Sequence, residues 1–146
     1  MNHFHTQDLR KGRRSTVGQI YHVTTTTKAR EPVFERFDLA RGVVRSLRFA
    51  DELGWVSSLA FVVMPDHLHW LFELLGDRSL PDVVKGVKQY SSRFAGVSIW
   101  QSGFHDRALR REDDILEAAR YIVANPMRAG LVERIGDYPH WDAVWV

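Results

Sequence analysis

Val63-Met64-Pro65-Asp66-His67-Leu68-His69-Trp70-Leu71 puts two histidines one residue apart inside an apolar run. Imidazole binds metals and carries protons, and it is costly to leave in a core without a partner. Side chains two apart point the same way on a strand and nearly opposite ways on a helix. If the segment is a strand, His67 and His69 share one face, roughly 7 Å apart along the chain, and Leu68 and Trp70 occupy the other. Two neutral imidazoles at that spacing can converge on one divalent cation. They serve equally well as hydrogen-bonded rim residues of an amphipathic strand, and two ligands alone make a poor site. A third donor must come from elsewhere, and Asp66, Glu73 and His105 carry suitable atoms.

Tyr121 and Asn125 form a second constellation, four residues apart. On a helix they share a face one turn apart. A phenol placed there could attack a phosphodiester while the neighbouring carboxamide oxygen reaches the same ion. Tyrosine is a covalent nucleophile, but an ordinary pKa near 10 leaves it weak until something polarises the phosphorus, which a metal can do. Structural readings compete: Tyr121 follows Leu116 and Ala118 as a core residue would, and Asn125 can cap the next turn. Tyr90, with Lys85 and Lys88 nearby, is the rival hydroxyl, and Tyr21 and Tyr138 are others.

The elements that must position these residues follow from pattern. "GQIYHVTTTT", residues 18–27, is β-branched and aromatic and reads as a strand. Residues 34–54 repeat apolar side chains near helical spacing and stop at Gly54, although Gly42 weakens the interior. Residues 55–64 read as a central strand, Pro65-Asp66 as a turn and residues 67–74 as the returning strand. Ser79 can cap a helix over 80–95. "VSIWQ", 97–101, reads as a short strand, and "GFHDRALR" as an extended segment. Glu112, Asp113 and Asp114 suit the first turn of a last helix. That helix should end near Asn125, because the residue before Pro126 avoids the α region, and "PMRAG" should form a separate turn closed by Gly130. The order is that of a split β-α-β-β-α-β plan: an α+β, ferredoxin-like fold, antiparallel sheet with helices on one face, plus a C-terminal tyrosine-bearing helix.

With 146 residues, 45% of them hydrophobic and 26% charged, the chain suits a single soluble domain, 1–146, preceded by a basic arm over 1–17. The absence of cysteine excludes disulfides, thiolate metal sites and a cysteine nucleophile, and fits a reducing compartment. No apolar run approaches the roughly 20 residues of a membrane span, and the N-terminus lacks a signal-peptide core, so the cytoplasm is expected. Net charge is only +2, yet the basic residues cluster. Arg10, Lys11, Arg13 and Arg14 form one group and Arg107, Arg110 and Arg111 a second, Arg120, Arg128 and Arg134 follow, and Lys85 and Lys88 lie near Tyr90. Such clusters suit phosphate contacts, or else a solvated arm and surface.

"AFVVMPDHLHWLFEL", "WQSGFHDRALRRE" and "ARYIVANPMRAGLV", in that order, resemble the REP-associated tyrosine transposases, a branch of the single-tyrosine, IS200-like HUH transposases. HUH denotes two histidines around one hydrophobic residue, here Leu68. The resemblance covers nearly the whole chain. It implies that His67 and His69 bind a metal, Mg2+ or Mn2+, that Tyr121 in the "YIxxNP" segment is the nucleophile, and that Asn125 lies beside the metal. It implies that "RKGRR" helps read a short sequence at the foot of a DNA hairpin. The implied reaction is cleavage and rejoining of single-stranded DNA at repetitive extragenic palindromic (REP) hairpins through a 5′-phosphotyrosine, at the nucleoid. A monomer is implied, with Tyr121 serving the histidines of its own chain and no further C-terminal domain. A hairpin binder with vestigial catalysis, or a metal-dependent nuclease using water, would share the same fold and basic surface.

Overall fold

Ile20–Thr26 is almost entirely β-branched and aromatic, and it forms the first strand, β1, with alternate residues buried. The computed structural model describes residues 17–145. Strands β2 (Val56–Met64) and β3 (His67–Leu74) flank the Pro65-Asp66 turn, so that Met64 pairs with His67. β4 (His105–Leu109) and β5 (Trp141–Ala143) complete a five-stranded sheet in the order β4-β1-β3-β2-β5, antiparallel throughout. β1, β2 and β3 lie where the sequence pattern predicts strands. The short fifth strand, inside the aromatic tail, extends the β2 edge.

Two helices, α1 (Phe37–Glu52) and α2 (Leu80–Ala95), cover one face. Val43, Leu47, Val83 and Val87 meet Tyr21, Val23, Leu68, Trp70 and Phe72 there in the larger core cluster. Ser79 caps α2 as expected, its hydroxyl accepting the Asp82 N–H at 3.2 Å. Gly42, a weak helix former, is explained by packing: a Cβ at this position would lie 2.8 Å from the Phe94 ring of α2. The third helix, α3 (Glu112–Arg128), lies on the opposite face. Its Ala118, Ala119 and Ile122 pack on Ala60, Val62, Met64 and Leu71.

Two expectations are corrected. Residues 97–101 form no strand. Only Trp100 makes a bridge, to Thr27, because Ile99 and Trp100 turn inward to close the core, where the Trp100 indole N–H donates to Ser91 Oγ at 2.9 Å. The edge strand is β4, in the segment read as extended. Nor does the last helix end at Asn125. It runs through Pro126 to Arg128, with the Ala129 N–H donating to the Asn125 carbonyl at 2.9 Å. Pro126 costs one backbone hydrogen bond, but it is buried, and Gly130 at φ 77° ends the helix instead. Between β1 and α1, Ala29 and Arg30 are both left-handed, φ 54° and 55°, a conformation costing L-residues about 1–2 kcal/mol each.

Tyr138 ties the C-terminal segment to the sheet, its hydroxyl donating to the Val63 carbonyl at 2.6 Å. Burial pushes its phenol up to about 12. The neutral phenol is therefore favoured in the folded state, and its stabilisation is complete below the ordinary tyrosine value near 10 and lost as pH rises from there through 12. Tyr138→Phe is expected to cost about 1 kcal/mol at neutral pH and to flatten the stability loss between pH 10 and 12, as read by urea denaturation across that range.

Candidate functional site

Strand alternation creates the site. Leu68 and Trp70 are buried under α1 and α2, while His67 and His69 project from the other face, beneath α3. The two imidazoles lie edge to face with ring centroids 5.0 Å apart. Each has its Nδ1 engaged. His67 Nδ1 donates to the Asp66 carboxylate at 2.7 Å. His69 Nδ1 lies 3.1 Å from Thr24 Oγ1 and 3.0 Å from His22 Nε2, both supplied by the neighbouring β1. Burial first, then the charges of His22, His67 and Arg128, hold His69 down at about 3; burial and Arg107 hold His22 down at about 4. Near neutral pH both rings are neutral, the form that can donate a lone pair. Asp66 stays below its ordinary value: burial, the largest influence, opposes this, but hydrogen bonds from His67 and Arg30 outweigh it.

Tyr121 reaches the same place from α3. Its ring centroid is 5.6 Å from that of His69 and 6.3 Å from that of His22, and the residue is 48% exposed. The Arg128 guanidinium lies 4.0 Å from the centre of the phenol ring, a cation–π contact that holds the side chain in place. The two residues are seven apart, two helical turns, so the continuous helix through Pro126 is what brings them together. Asn125 follows Tyr121 by one turn and is buried, with its Nδ2 lacking a hydrogen-bond partner. His69 and Tyr121 line one cavity of about 490 Å³ together with Arg107, Asp114 and Glu117. Tyr90, the rival hydroxyl, stacks on Phe49 at 5.0 Å, on the side of the sheet away from the histidines.

The sequence profile described as "Transposase IS200 like" matches residues 15–123, most of the chain. The chain belongs to the IS200-like transposase family. Among curated members, a REP-associated tyrosine transposase of Escherichia coli (strain K12) is 32% identical over 82 residues, 55% of this chain and 50% of that protein. The ISDra2 transposase TnpA of Deinococcus radiodurans is 30% identical over 86 residues, 59% of this chain and 61% of that one. The chain thus spans about half to three-fifths of the length of these relatives. A solved structure of a REP-associated tyrosine transposase bound to a REP hairpin superposes with a TM-score of 0.73 at 23% identity, covering 97% of this chain and 82% of that one, which establishes the shared fold.

A divalent ion is implied by the resemblance, and neutral imidazoles such as those of His67 and His69 are donors of the kind it would take. Donation from Nδ1 to the Asp66 carboxylate leaves the Nε2 of His67 as a lone pair, the usual arrangement of a metal-binding histidine with an outer partner, and the Nε2 of His69 is a lone pair in the tautomer that carries its proton on Nδ1. The unpartnered Asn125 carboxamide is a third polar group, and rotation by half a turn about its last bond exchanges its oxygen and nitrogen. Among the described residues no three His, Asp or Glu side chains gather into a metal cluster, so the carboxamide would have to complete the set. Of the other third-donor candidates, Asp66 is engaged with His67, His105 lines the cavity and Glu73 pairs with Ile20, six residues along β3 from His67.

The basic candidates of this IS200-like chain fall in different places. Arg107 lines the cavity beside Tyr121, Arg110 borders the β1–β4 edge, and Arg111 is the residue that precedes α3. Lys85 and Lys88 lie on α2, along a groove of about 1010 Å³ across the sheet from the histidines. Lys88 Nζ donates to the carbonyls of Gln101 and Gly103 at 2.9 and 2.6 Å. Arg10, Lys11, Arg13 and Arg14 lie outside the described residues. Sequence reasoning missed His22 and Thr24, and it saw Arg128 only as one of the basic residues, not as the partner of Tyr121. His22 and Thr24 share the "YHVTTTT" strand, and their alternation with Tyr21 and Val23 was the available signal. Because Tyr121 is exposed, Tyr121→Phe is expected to change stability by less than about 0.5 kcal/mol; thermal denaturation of the two proteins checks this.

Proposed function

We propose that this chain is a divalent-metal-dependent DNA strand transferase that cuts and rejoins single-stranded DNA at REP-type hairpins through a 5′-phosphotyrosine at Tyr121. The observation that carries this reading is the accessible Tyr121 phenol, seated against His69 and within one chain. A phenol kept only for packing would be buried, as Tyr21 is. Family membership and the similarity to REP-associated relatives support the substrate class.

In the proposed reaction the Tyr121 oxygen attacks the scissile phosphorus and the bond to the 3′ oxygen breaks. The phenol loses one proton and the departing 3′ oxygen gains one, so no redox partner is needed. The resulting ester conserves the phosphodiester, and a 3′-hydroxyl can attack it to rejoin the strand. His67 and His69, through Nε2, and Asn125 would hold the ion. When bound, that ion would draw charge from the phosphate oxygens. Arg128 fixes the phenol ring, and Arg107 adds positive charge in a cavity otherwise rich in carboxylates, Asp106, Asp114 and Glu117. Those acids would repel a phosphate, which makes a compensating cation reasonable. A single chain supplies every one of these groups, which supports a monomer as the working unit.

Labelled single-stranded hairpin DNA incubated with the protein and Mn2+ should give a covalent protein–DNA band on a denaturing gel. Tyr121→Phe should reduce it by on the order of 10^4-fold, His67→Ala and His69→Ala should reduce it strongly, and Tyr90→Phe should leave it unchanged. Cleavage without an adduct would instead indicate a nuclease using water. Native-gel retardation with neither cleavage nor adduct would indicate a binder only.

A further inference from the structure

The two histidines are supported differently. His69 Nδ1 rests on neutral groups, Thr24 and His22. His67 Nδ1 rests on a carboxylate, and that carboxylate is itself held. Asp66 Oδ1 takes His67 Nδ1 at 2.7 Å, and Asp66 Oδ2 takes Arg30 Nε at 2.9 Å. The backbone of the same turn is clamped by the segment that carries Arg30. Thr27 N–H donates to the Asp66 carbonyl at 3.0 Å, and Phe34 N–H donates to the Pro65 carbonyl at 2.9 Å. Arg30 follows Ala29 in two successive left-handed conformations. Neither residue is glycine or asparagine, the types that tolerate this backbone. Strain of this kind persists only where the surroundings hold it in place, and the observed contact made by the Arg30 side chain is with Asp66.

We propose that Arg30 and Asp66 are positioning residues for His67, forming a relay that locks its imidazole in the Nδ1–H tautomer with Nε2 presented to the cation. The inference rests on the proposed function for the identity of what Nε2 meets. The relay itself is a property of the protein without metal. Arg30 fixes the rotamer of the carboxylate, the carboxylate fixes the proton on Nδ1, and the negative charge makes Nε2 a stronger donor than its counterpart on His69. The strained Ala29–Arg30 turn is the local backbone conformation in which this contact forms.

The test reads tautomer and affinity rather than turnover. Nitrogen-15 NMR of the metal-free protein at neutral pH should show His67 as the Nδ1–H form. In Asp66→Ala it should move toward the Nε2–H form that free imidazole favours, and the Mn2+ dissociation constant, measured by electron paramagnetic resonance, should rise roughly 10–100-fold. Arg30→Gln, at a largely exposed position, should move both readouts in the same direction by a few-fold. Thr24→Val, on the His69 side, should leave the His67 tautomer unchanged. An unaltered tautomer and a dissociation constant within twofold of wild type in Asp66→Ala would overturn the relay. Should that variant not fold, Arg30→Gln decides, and wild-type behaviour there overturns it. If the wild-type protein binds no Mn2+, the metal reading of the proposed function fails, and the tautomer measurement alone judges the relay.

Discussion

The β1–β3 ladder is the constraint on which the remainder is built. Thr24 stands opposite His69, and Thr26 opposite His67. Because side chains alternate, this single register sends Tyr21, Val23, Leu68, Trp70 and Phe72 into one core and His22, Thr24, His67 and His69 to the other side. A slip of one residue would exchange the two sets, exposing large apolar groups beneath α3 and burying the imidazoles among valines. Stability and chemistry are therefore specified by the same hydrogen-bond pattern. It also explains the apolar residue between the histidines: Leu68 anchors from below the strand that carries both rings above.

The second framework element is α3, and its integrity through Pro126 matters as much as its position. It sits on the sheet through small residues, Ala118 and Ala119, with Ile122 as the one large buried contact. Close approach over small side chains brings the Tyr121 ring near strand-borne imidazoles. Continuity beyond Asn125 then returns Arg128 to the face of the phenol. A helix broken before the proline would keep the tyrosine near the sheet but lose the cation that stacks on it.

Much of this was legible in the chain. The face shared by His67 and His69 follows from period two, and β1, β2, β3 and the three helices follow from periodicity, turn residues and the Ser79 cap. What escaped had physical reasons. Ile99 and Trp100 look like strand residues, but they serve as a plug held by Ser91, with one bridge to Thr27. Pro126 reads as a helix stop because sequence does not reveal the burial that offsets its missing hydrogen bond. His22 meets His69 across 47 residues of chain, and no local pattern reports a long-range partner. The left-handed Ala29–Arg30 pair is invisible too, since neither residue type announces that backbone.

The placement of Tyr121 at the rim has a topological consequence. A polynucleotide joined to a side chain on the floor of a closed pocket would need an exit, and loops or domains would have to part to release it. Here the proposed attachment point already faces outward, with nearly half of the residue in contact with water. A strand tethered there would trail into solvent from the outset. The fold over the described residues could carry a long polymer on the proposed nucleophile without a hinge, gate or lobe having to open there.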